Sequence, residues 1–165
     1  MSRIFNISGK FMQYGKWSEP DPSFSGKIVV NEEDEFYGFC EERYSSNMSD
    51  DNRIRYIAGA FAENGRNGQR GIAFFKMSND SKQAPLMYVT PDLMVPESGL
   101  WAALSIFGYF QEQGRSRIVV EEETFSKEVE KSIKTKYDTL DKGINGNNEL
   151  LEQIQCCKTI IVHAM

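Results

Sequence analysis

The residues able to do chemistry are few, and their spacing argues against most catalytic centres. His163 is the single histidine, so any Ser-His-Asp or Cys-His arrangement would have to recruit it from the end of the chain. Catalytic zinc sites commonly draw on two or three histidines, which this chain lacks. Cys40, Cys156 and Cys157 are the only cysteines. An odd count with two adjacent does not build a disulfide framework, and reads as reduced thiols. No metal ligands, catalytic residues or cofactor are assigned.

Carboxylates are the remaining reactive groups. Glu32, Glu33, Asp34 and Glu35 crowd one turn, and Glu121, Glu122 and Glu123 end a β-prone run. Paired carboxylates across a cleft can act as acid and base, and several oxygens can hold calcium. Consecutive carboxylates on a turn point apart, however, and no calcium-loop pattern is present. More informative are Glu41 and Glu42, which close a run containing Tyr37 and Phe39. Alternation puts Glu41 on one face with Tyr37 and Phe39. A carboxylate facing a barrel interior must be paired. The candidate ligand-binding set is therefore Tyr37, Phe39, Glu41, Tyr56, Phe74, Trp101 and Tyr109.

These positions lie on a ladder of strand-like runs: Arg3–Phe11, Gly26–Asn31, Glu35–Glu42, Arg53–Ala62, Gly71–Met77, Pro85–Thr90, Leu100–Phe110 and Arg117–Thr124. Most connections are short, which forces neighbours to be antiparallel. Eight sequential antiparallel strands close as an up-and-down barrel or stack as a β-sandwich. Gly9, Gly38, Gly59 and Gly108 interrupt the runs where a closing sheet must bend, which favours the barrel. Leu100–Phe110 is apolar on both faces and needs a cover outside as well as inside.

From Ser126 the apolar period changes. Val129, Ile133, Tyr137 and Leu140 recur at helical spacing behind Ser126 as N-cap, with Gly143 as a stop. A second helix is expected over 149–156, and 159–162 is β-prone. At 165 residues, the chain fits a single domain of the common ~100–200-residue size: a barrel over 1–125 and a helical extension over 126–165.

Gly15-Lys16-Trp17, the meander of eight strands, a basic residue opening the last strand and a following helix resemble the calycins. That superfamily groups lipocalins, fatty-acid-binding proteins and avidins. Lipocalins set G-x-W on the first strand and carry a T-D-Y motif; here a strand-like run precedes Trp17, and Thr90-Pro91-Asp92 is the nearest counterpart of T-D-Y. The resemblance implies a structural pair in which Arg115 or Arg117 packs over Trp17, a cation on an aromatic face.

A net charge of −5 argues against nucleic acid, which needs a basic face. No window approaches the ~20 apolar residues of a membrane span, and a soluble, cytoplasmic protein is expected. The first expectation for function is a non-enzymatic barrel that binds a small molecule in or at its mouth. The alternatives are a protein–protein interaction module or a homo-oligomeric structural protein, such as a homodimer, and, behind both, a carboxylate-dependent barrel enzyme.

Overall fold

Strand pairing closes the sheet on itself. The computed structural model describes residues 2–43, 53–62, 70–78, 86–95, 98–103 and 113–138. Among the described residues nine strands follow in chain order: β1 (Arg3–Gln13), β2 (Lys16–Trp17), β3 (Phe24–Val30), β4 (Glu35–Glu42), β5 (Ile54–Ala62), β6 (Gly71–Ser78), β7 (Leu86–Thr90), β8 (Gly99–Ala103) and β9 (Gly114–Glu123). Every pairing is antiparallel, and β9 returns to pair with β1 from Ile4↔Glu123 to Met12↔Arg115. That seam makes an eight-stranded barrel and removes the sandwich alternative. The ninth strand, β2, is a short addition to β1.

The expected strands all recur, with shifts at their ends. The expected run over Leu100–Phe110 is a strand from Gly99 to Ala103, and its remainder lies outside the described residues. The strand not anticipated is β2. It forms because Tyr14 and Gly15 both take positive φ, 54° and 76°, the geometry of a two-residue hairpin turn whose twist suits the flanking strands.

Alternation sorts each strand into an inner and an outer set. Phe5, Phe24, Phe36, Phe61, Phe74, Tyr88 and Trp101 point inward and pack with Ile7, Ile28, Ile57, Ile72 and Ile118. Gly59 is paired between Phe36 and Phe74. A Cβ there would overlap the Ala73 carbonyl and the Phe74 backbone, and its absence lets the two rings stand 6.4 Å apart. On the outer side, Ala58, Ala73, Phe75, Met77, Met87 and Val89 of β5–β7 are also buried within the single chain.

One barrel end is tied by Asp34, which accepts from the guanidinium groups of both Arg3 and Arg70. After β9 comes α1 (Lys127–Asp138). Ser126 Oγ accepts from the Val129 N–H at 3.4 Å, and Glu128 and Glu130 sit in the first turn, where the helix dipole favours negative charge. Ile133 is buried against Ile4 and Val29, beside Val129 and Phe125. Tyr137 meets Tyr37 at 5.2 Å and Tyr56 at 6.1 Å.

The helix thus docks on β3 and β4. The reason is complementarity: Ile4, Val29, Tyr37 and Phe39 form the apolar outer stripe that its own stripe fits. Leu140, the expected second helix and the β-prone tail lie outside the described residues. No helix among the described residues is long and apolar enough to cross a membrane.

Candidate functional site

Inside the barrel, β4, β5, β6 and β7 bring together a polar cluster. Glu42 and Lys76 are fully buried and form an ion pair through Glu42 Oε1. Arg55 Nε approaches the same oxygen at 3.8 Å. The Lys76 ammonium lies over the rings of Phe24 (4.7 Å), Tyr88 (5.0 Å) and Phe11 (5.6 Å). Neither Glu42 oxygen nor the Tyr88 hydroxyl makes a well-angled hydrogen bond, so charge holds the cluster together.

The cluster fixes the protonation of its members. Burial alone would lower the Lys76 pKa, but Tyr88, Glu42 and Cys40 overcome it and hold the pKa above the ordinary lysine value. Burial pushes the Tyr88 phenol up to about 12 against the opposing pull of Lys76. It does the same to the Cys40 thiol, also to about 12. At neutral pH, Lys76 is an ammonium, Cys40 a thiol and Tyr88 a phenol.

Next to this cluster lies a groove at the barrel end formed by the close of β1, the start of β7 and β8. Leu86 pairs in register with Lys76, and Phe11 is the ring beside its ammonium. With Trp17 and Trp101 they form the apolar part of a groove of about 570 Å³; Gln13, Lys16, Ser18 and Glu19 form its polar part. Phe11 and Trp101 meet edge to face at 5.2 Å.

Local bonds hold this lining. The Ser18 N–H donates to the Phe11 carbonyl at 2.8 Å, and the Phe11 N–H donates to Ser18 Oγ at 3.2 Å. Trp101 Nε1 donates to the Met12 carbonyl at 2.9 Å. That bond passes Gly114, where a Cβ would overlap both of its atoms. Only glycine leaves the indole room to reach β1.

The candidate residues named from sequence separate into distinct places. Tyr37, Phe39 and Tyr56 gather on the outer face around Tyr137, with the Lys136 ammonium 4.3 Å over Phe39. Burial raises the Tyr37 pKa, with Glu130 and Asp138 adding to it. Burial, then Asp138 and Tyr37, raise that of Tyr137. Glu41 shares their face but is exposed, and the interior carboxylate is Glu42. The parity differs because α1 covers the aromatic outer face of β4, while Phe36, Cys40 and Glu42 turn inward.

Phe74 is a core ring stacked on Tyr88 at 5.1 Å. Trp101 alone of the set lines the groove, and Tyr109 lies outside the described residues. The cation over Trp17 is Lys10, at 5.4 Å, in place of Arg115 or Arg117. Arg117 instead joins Lys10 in pairing with Asp21, and Arg115 is exposed. His163, Cys156 and Cys157 lie outside the described residues.

Sequence reasoning missed Phe11, Lys16, Glu19 and Leu86 because no motif joins them; only the barrel seam and the β1–β2 hairpin do. Lys76 did leave a signal. It stands within an apolar run, GIAFFKM, where either face would bury it and demand a carboxylate.

No protein-family model, curated protein or solved structure matches this chain. The class that fold and site define is therefore the closed antiparallel barrel itself.

Proposed function

We propose that this protein is a non-enzymatic binding barrel, taking a small aromatic molecule in the groove at one end. One observation leads to this reading: both tryptophans of the chain, Trp17 and Trp101, line the same groove with Phe11 and Leu86. Apolar, aromatic concavities with a few polar groups are the usual form of a small-molecule site. The interior is occupied by aromatic rings, which supports a site at the mouth over one inside the barrel. The polar cluster of Glu42, Lys76, Cys40 and Tyr88 is buried in the barrel, away from a molecule held in the groove, which supports binding over catalysis.

The calycin resemblance fits this reading, with Lys10 serving at Trp17 where the family uses arginine. The interaction-module alternative has less support, since the apolar outer face of β5–β7 is already buried within one chain. Titrating tryptophan fluorescence with a library of small aromatic compounds tests the proposal. A saturable change that Trp101→Phe diminishes is the expected result. A library that leaves the fluorescence unchanged contradicts it.

A further inference from the structure

Building on the groove reading, we infer that the ligand is an aromatic zwitterion, a flat ring carrying one positive and one negative group. The inference comes from the charges that the groove leaves uncompensated. At this end of the barrel, Lys10 and Arg117 pair with Asp21, while Lys76 and Arg55 meet Glu42. Lys16 and Glu19 line the groove and behave differently. They are opposite in sign and three positions apart in sequence, and among the described residues neither forms an ion pair or side-chain hydrogen bond with the other or with any other group.

The surrounding backbone explains their separation. Lys16 belongs to β2, paired across the hairpin with Gln13. Glu19 follows Ser18, whose N–H and Oγ are both engaged by Phe11. The two charges therefore lie along one lining without meeting. A ring resting against Phe11, Trp17 and Trp101 gains apolar and stacking contact. Its carboxylate would then meet the Lys16 ammonium, and its ammonium the Glu19 carboxylate, each a charge-assisted contact. A neutral ring would use only the aromatic part.

Four probes that share a phenyl ring separate these contributions: L-phenylalanine (zwitterion), phenethylamine (cation), 3-phenylpropionate (anion) and benzyl alcohol (neutral). Their dissociation constants are read from tryptophan fluorescence on the full chain. L-Phenylalanine is expected to bind about tenfold more tightly than either singly charged probe, one such step for each charged contact. Lys16→Gln should abolish its advantage over phenethylamine, and Glu19→Gln its advantage over 3-phenylpropionate. Both side chains are exposed, so neither variant disturbs the core. If benzyl alcohol binds as tightly as L-phenylalanine, the zwitterion inference is overturned while the groove reading stands. If no probe changes the fluorescence, both are overturned.

Discussion

Glu42 and Lys76 sit on strands separated by β5, yet their side chains meet inside the barrel with neither exposed to solvent. A buried pair contributes less than its Coulomb attraction suggests, because both ions lose their hydration. Removing Lys76 is another matter, since Glu42 stays buried with only the more distant Arg55 Nε, at 3.8 Å, as a charged partner. Lys76→Met should therefore destabilise the fold by roughly 3–5 kcal/mol, read from urea unfolding. The double variant Lys76→Met/Glu42→Leu should recover most of that loss. Equal stabilities for the single and double variants would show that the pair is not buried as described.

Alkaline pH should weaken the same cluster. The pKa of Tyr88 rises on folding from the ordinary phenol value of 10.0 to about 12, and that of Lys76 is also raised. The folded state thus binds more protons than the unfolded one above the unfolded values. Stability is fully present below about pH 10 and falls as pH rises through the folded values. Tyr88→Phe removes a shift worth about 3 kcal/mol, so its unfolding free energy should decline less steeply above pH 10 than that of the parent chain. Parallel declines would exclude Tyr88 from the cause.

Much of the barrel is legible in the sequence because short connections dictate antiparallel neighbours and glycine marks the bends. The choice of inner face on β4 is not. Phe36, Cys40 and Glu42 alternate with Tyr37, Phe39 and Glu41, and both sets mix rings with a terminal carboxylate. Only the position of α1, a tertiary fact, settles which set faces inward. The groove is hidden for a similar reason, since Trp17 and Trp101 are brought together by the closing seam between β1 and β9. Of the groove, sequence alone identified Trp101 as a ligand contact.

That seam yields a further prediction at Gly114. Gly114→Ala places a methyl group against the Met12 carbonyl and Trp101 Nε1, so the indole must give up its bond to β1. The cost should be about 1–3 kcal/mol for the unsatisfied polar group, measured by urea unfolding. The Trp101 emission should also shift. A variant with parental stability and emission would mean that the indole bond is absent.

The most direct test of the central claim is nuclear magnetic resonance of the two indole N–H groups during titration with L-phenylalanine. Because Trp17 and Trp101 are the only tryptophans and line one groove, both indole signals should move together along one saturating curve. The amides of β2 and the adjoining residues up to Glu19 should move with them. Signals that shift only around α1, or do not shift at all, would contradict the account.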